Sequence, residues 1–363
     1  MYSYDNDDQI TATARTELDP KEYYGRKALS TCSNAQALLQ AYDQLAGYIG
    51  SVGEYTEHPA KLFKKAYCEI VIPLEKVTKE EFDVAREAYI NDYPQHFWIP
   101  SHFSYRRDPV SDSLTEVIYQ IPSSKSKLLS RILEFEQAAE AFLMDVPTFY
   151  DEYRTEKAIH DKLISEVSYN KKGKNAHSAY GALIDRQCVC EGYAEIFQYL
   201  LYKRGILALR VTGISGRGGR HAWNIVRING EYYHVDVTWD DLEKEGVSYG
   251  YFNLTTAQML GVHTPSDLPY PLPFCDQTAH NYAHLEKLLI DPADTDLAVK
   301  RIAELLTQNN SVRVFLTDPD FDFKEWYFNN VKAISAAAGM TTPYSYSYCK
   351  HGYEHSVSLT KKG

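Results

Sequence analysis

The chain has 363 residues, a formal net charge of −11 and 44% hydrophobic side chains, enough apolar material to fill two or three cored domains. Its acidity argues against nucleic acid or an anionic membrane as the main partner, because both reward a basic face. No apolar run approaches the roughly 18 residues of a membrane helix, and the printed start, MYSYDNDDQ, lacks the order of a signal peptide. The expected product is soluble, cytoplasmic as printed, or exported if a leader has been removed.

Residues 1–20 are polar and read as a loose tail. The spacing of Leu38, Leu39, Tyr42, Leu45 and Ile49 predicts a helix over 24–49, and residues 67–72 read as a strand stopped by Pro73. Thr78 with Glu81 forms a capping box opening a helix through Val84, Ala88 and Tyr89. Alternation predicts a strand over 114–121. After Ile121-Pro122, helices are expected over 128–143 and, past Pro147, through Tyr153, Ile159, Leu163 and Val167, followed by a polar loop at 170–175. Beyond Asp291-Pro292 the order is helix (297–306), strand (312–316), helix (323–338), then two strands around His351-Gly352. The domain reading is a tail (1–20), an N-terminal mixed α/β domain (21–125), a central domain (126–288) and a small C-terminal α/β domain (289–363).

Cys32, Cys68, Cys188, Cys190, Cys275 and Cys349 are too scattered for a disulfide framework. One of them is placed differently from the rest. In QCVCEGYAEIFQYLLYKRG (187–205), Ala194, Phe197, Leu200 and Leu201 share one helical stripe and Gly205 follows where a C-cap belongs. Cys190 therefore stands at a helix N-terminus, where free amides and the helix dipole stabilise a thiolate and can receive an oxyanion. Gly192 is expected to let a substrate backbone approach.

In GRHAWNIVRINGEYYHVDVTWDD, Asn229-Gly230 signals a two-residue type I′ hairpin. That turn sets 228 opposite 231, 226 opposite 233, 223 opposite 236 and 221 opposite 238. Ala222, Asn224, Val226, Ile228, Tyr233, Val235 and Val237 then form the core face. His221, Trp223, Ile225, Tyr232, His234, Asp236 and Thr238 form the other. His221 and Asp236 become diagonal neighbours with Cβ atoms roughly 5.5 to 8 Å apart, close enough for a carboxylate to orient an imidazole beside a nucleophile. His234 shares that face, but its diagonal partners Trp223 and Arg227 cannot accept from it, so a packing or substrate-side role is expected. Trp223 and Trp239 are expected to wall the site.

CEGYA at 190–194, HAWN at 221–224 and VDVTW at 235–239 together resemble the transglutaminase-like superfamily, in its bacterial transglutaminase or protease-like branch. The resemblance covers roughly 145–260, ending near Tyr251-Phe252-Asn253. It implies an α+β fold: a papain-like core with a nucleophile helix packed on an antiparallel sheet. It further implies Cys190 as nucleophile, His221 as general base and acid, and Asp236 as the residue orienting His221. The second oxyanion donor has no motif, and Gln187 and Tyr180 are candidates by proximity. Val189 and Glu191 flank the cysteine where animal transglutaminases have Gln-Cys-Trp, which weighs against protein crosslinking.

The expectation is thus cysteine-dependent acyl transfer on a protein or peptide substrate, cell-wall peptides included, with no cofactor and no metal. Two readings compete with it. Cys188, Cys190, His221 and His234 offer the donor types of a Cys2His2 zinc site, although CxC is not the usual knuckle spacing. A non-catalytic peptide- or glycan-binding scaffold retaining the same fold is the other, and thirty tyrosines would suit such a surface.

Overall fold

A computed structural model describes residues 17–361, except 62–64, 148–150, 243–245, 310, 319 and 341–343. Expectations for residues 1–16 fall outside it; Leu18, in the predicted tail, donates its N–H to Tyr202 O at 2.8 Å. No helix among the described residues is long and apolar enough to cross a membrane, and all six cysteines are free thiols.

The first core is built on a four-stranded antiparallel sheet in the order Thr56–His58, Tyr67–Val77, Leu114–Ile121, Ser104–Arg107. Its apolar alternation buries Ile70, Ile72 and Leu74 with Leu38, Tyr42 and Leu45 of the helix Ala35–Gly50 and Phe82, Ala85 and Tyr89 of the helix Lys79–Asp92. The capping box forms as read: the Thr78 side chain accepts from Glu81 N and Glu81 reaches back to Thr78 N. Two expectations are corrected. The predicted first helix is two, Tyr24–Leu29 and Ala35–Gly50, separated by the Ser-Thr-Cys-Ser-Asn run, whose side chains compete with helical hydrogen bonds. The strand continues through Pro73, which pairs with Glu116 on one side; the Thr56–His58 strand covers only residues 67–69 on the other, so the missing N–H of Pro73 costs no ladder bond.

The central sheet runs His263–Pro265, Ala208–Ser215, Arg220–Ile228, Glu231–Val235, all antiparallel. Asn229 and Gly230 both have positive φ, 50° and 94°, as a type I′ turn demands, and the ladder pairs Ile228 with Glu231 and Val226 with Tyr233 as the turn predicts. One face packs Val226, Ile228, Tyr233 and Val235 against Tyr193, Ile196, Phe197 and Leu200 of the helix Cys190–Tyr202. Each such side chain, fully buried, contributes roughly 1.5–3 kcal/mol. The opposite face is not open. Trp223 and Ile225 are buried there with Leu209, Val211, Tyr251, Leu254 and Met259 in a second, smaller cluster.

The C-terminal sheet has the order Leu289–Ile290, Ser311–Leu316, Glu354–Lys361, Tyr344–His351, and the helices Thr295–Gln308 and Phe323–Ala337 contribute Ile302, Leu306, Tyr327 and Ile334 to its core. Buried side chains tie the three parts together. Asn91 exchanges two hydrogen bonds with the backbone of Arg210, 2.6 and 3.0 Å, and Glu354 accepts from Tyr249 N at 3.0 Å.

Candidate active site

Cys190 is the first residue of its helix, with Val189 as the N-cap. The approach is held by a short parallel pairing of Ser168–Tyr169 with Gln187–Cys188 and by Val189 N donating to Ala176 O at 2.9 Å. Gly192 serves a different purpose from the one expected. A Cβ there would meet Cys188 Cβ at 2.5 Å and the carbonyl oxygens of Ala176 and Ser178 at 3.0 Å, so the backbone that needs the space is the chain's own 176–178 loop.

His221 is the second residue of its strand. By alternation it points away from the face covered by the Cys190 helix, the face of Asn224, whose Nδ2 donates to Ala194 O at 3.0 Å. The two residues nevertheless come together, because each stands at the end of its element: Cys190 helps to favour the charged form of the His221 ring, and both line a cavity of about 490 Å³ with His177, Thr212, Gly213 and Arg220.

The strand expected to reach Thr238 ends at Val235. The chain turns into the short helix Val237–Asp240, with Asp236 as its N-cap: Oδ1 accepts from Trp239 N at 3.1 Å and Asp236 N donates to Tyr251 O at 3.1 Å. Thr238 therefore does not face residue 221 across a ladder. His221 Nε2 lies 2.7 Å from Asp236 Oδ2. Burial opposes a charge on His221, but Asp236, aided by Cys190, outweighs it and pushes the imidazole up to about 10. Burial likewise acts against ionisation of Asp236, and His221 and His263 overcome it, holding the carboxyl down at about 2.

His263 is the residue that sequence reading missed. It is fully buried, with Nε2 2.8 Å from the same Asp236 Oδ2. Nothing in GVHTPSD signals it; its position follows from the edge strand His263–Pro265 pairing with Ala208–Ser215. That second strand, which supplies Thr212 and Gly213 to the cavity, is the β-branched and apolar run ALRVTGIS.

The other candidates lie elsewhere or act otherwise. His234 receives the Trp223 indole N–H on Nδ1 at 3.1 Å and has Thr256 Oγ1 3.2 Å from Nε2; burial, with His263 nearby, holds it down to about 3. It is a neutral packing residue away from the cavity lining. Tyr180 donates to Glu134 Oε2 at 2.6 Å, and the exposed Gln187 accepts from Asn170 at 2.9 Å; neither lines the Cys190 cavity. Trp223 and Trp239 do flank His221, with ring centroids 6.2 and 5.6 Å away. The cavity wall is braced by Arg210, whose Nη1 lies 2.7 Å from Glu195 and 3.2 Å from Glu191. Burial raises Glu195 to about 7 in spite of that partner. The Cys2His2 combination is not assembled. Among the described residues, the grouping with metal-like spacing is His221, Asp236 and His263, all within 4.8 Å, and their hydrogen bonds to one another account for that closeness.

Residues 147–237 match the model of the transglutaminase-like superfamily. The chain thus carries a transglutaminase-like segment, ending at the Asp236 turn and short of the expected Tyr251-Phe252-Asn253. No curated protein matches the chain. Among solved structures it is similar to a candidate cysteine protease from Cytophaga hutchinsonii, at 16% identity, 41% of this chain, 65% of that one and a TM-score of 0.25. It is also similar to a TGase at 11% identity, 66% of this chain, 67% of that one and a TM-score of 0.29, and to menin at 14% identity, 57% and 55% coverage and a TM-score of 0.24. The chain spans less than two thirds of the first of these. Likenesses of this size carry no argument about activity.

Proposed function

We propose that the protein is a cysteine-dependent acyl-transfer enzyme acting at carboxamide or peptide bonds, with Cys190, His221 and Asp236 as its catalytic set. The observation that supports this reading best is the placement of His221, whose Nε2 lies 2.7 Å from Asp236 Oδ2 and which lines one cavity together with Cys190. His221 takes the thiol proton, and the sulfur attacks the substrate carbonyl carbon. The oxyanion is received at the first turn of the Cys190 helix, whose amides have no acceptor within the helix. The tetrahedral intermediate expels the amine, which leaves with the proton held by His221, and a thioester to Cys190 remains. Water resolves it in a peptidase or amidase; a second amine does so in a transamidase.

Asp236 fixes the ring's orientation and favours the imidazolium that forms in each step. A carboxylate that is itself an N-cap and buried suits this task, because neither its position nor its charge can relax toward solvent. The test is incubation of wild type and Cys190→Ala with a mixed panel: peptides, glutamine donors with amines, and cell-wall peptides, read by mass spectrometry. Cleavage, acylation or crosslinking that needs Cys190 is expected. If wild type and variant leave the whole panel identical, the non-catalytic scaffold reading replaces this one.

A further inference from the structure

Resting on the catalytic set above, we infer that His263 is a positioning residue of the site, a second imidazole that binds the far side of the Asp236 carboxylate and holds it in register for His221. The argument is a count of protons. His263 Nδ1 lies 2.7 Å from Val262 O, a carbonyl that already accepts from Gly216 N at 2.6 Å and can only accept. His263 Nε2 lies 2.8 Å from Asp236 Oδ2, and an ionised carboxylate can only accept. Nε2 therefore presents its N–H to the carboxylate.

Asp236 Oδ2 then takes one N–H from each histidine while Oδ1 takes Trp239 N at 3.1 Å, and the carboxylate has no freedom to turn. The His263 ring is itself clamped, with Trp239 and Trp223 at centroid distances of 4.4 and 4.9 Å and Tyr251 stacked at 6.4 Å. The Asp236 and His263 side chains are both 0% exposed, so no water competes for that contact.

The experiment uses the full chain and the alkylation of Cys190 by iodoacetamide at pH 7, for wild type, His263→Leu and His263→Gln, with circular dichroism melts alongside. In the wild type, nitrogen-15 resonances of the His263 ring are read in parallel. His263→Leu is expected to slow alkylation at least about tenfold, as befits one lost hydrogen bond to a charged group. His263→Gln, whose amide N–H can take the place of Nε2–H, is expected to recover most of that rate. The wild-type ring is expected to carry hydrogen on Nε2, the nitrogen 2.8 Å from Asp236 Oδ2. A folded Leu variant as reactive as wild type overturns the inference, as do equal losses in Leu and Gln, which would trace the effect to packing. A ring without hydrogen on Nε2 overturns it too, and that measurement requires no variant to fold. A wild-type Cys190 no more reactive than an ordinary thiol is instead a failure of the proposed acyl-transfer reading, visible before any His263 substitution is compared.

Discussion

Replacing Asp236 by Asn keeps the volume of the side chain but removes its charge and turns one acceptor into a donor. Oδ2 receives two ring N–H groups and Oδ1 a backbone N–H, so an amide must set its own N–H₂ against at least one of these donors. His221 stands near 10 against an ordinary 6.5, a gap of about 3.5 pH units, or roughly 5 kcal/mol in favour of the imidazolium at about 1.4 kcal/mol per unit. With the His221 side chain only 6% exposed, solvent screening removes little of this, and since burial opposes the charge the carboxylate supplies more than the net. In Asp236→Asn burial is opposed only by Cys190, and the His221 midpoint falls. Nitrogen-detected NMR of the His221 ring measures that midpoint directly, and Cys190 alkylation at pH 7.5 should fall by about tenfold or more with it, as the proposed orienting role of Asp236 requires. A midpoint that remains above about 9 in a folded Asp236→Asn protein would refute the electrostatic account of the site.

The same carboxylate makes an acid-stability prediction. Its folded value of about 2 lies below its ordinary 3.8, so the stabilisation, about 2 kcal/mol, is complete above roughly pH 4 and is lost as pH falls toward 2. The gap in urea midpoint between wild type and Asp236→Asn should narrow over that window. Gly192→Ala pushes a methyl into Cys188 and two carbonyl oxygens of the 176–178 loop; a loss of about 1–3 kcal/mol and slower Cys190 alkylation are expected, and a neutral effect on both would show that the loop yields freely. Asn91→Ala strands the buried N–H and C=O of Arg210, costing roughly 2–5 kcal/mol in a urea melt, whereas an unchanged midpoint would mean that water replaces the side chain.

Local patterns in the sequence determined a good deal. Helix spacing and Gly205 predicted a helix beginning at Cys190 because a helix start is written in its own residues. The Asn229-Gly230 dipeptide fixed the ladder from Ile228 with Glu231 back to Asn224 with Val235, because positive φ at both turn positions allows one register. Thr78 and Glu81 formed their cap for the same local reason. Pro73 misled, since whether a missing N–H matters depends on which strand lies beside it. Gly192 was assigned to substrate approach because sequence shows that space is needed and not which backbone fills it.

What belonged to the tertiary structure alone is the encounter. Alternation sets His221 on the face opposite the Cys190 helix, and the two meet only because helix and strand both end at that corner of the sheet. The Asp236 side chain was expected to reach His221 as a ladder diagonal and instead does so from a helix N-cap, a geometry set by the turn at Val235 and by Tyr251 O. His263 arrives from 27 residues beyond Asp236 on an edge strand whose pairing no local pattern encodes. Short-range sterics and hydrogen bonding fix residues close in sequence, so the chain declares its helix start and its turn. Which side chains share a buried carboxylate is settled by long-range packing, and that is decided only when the sheet closes.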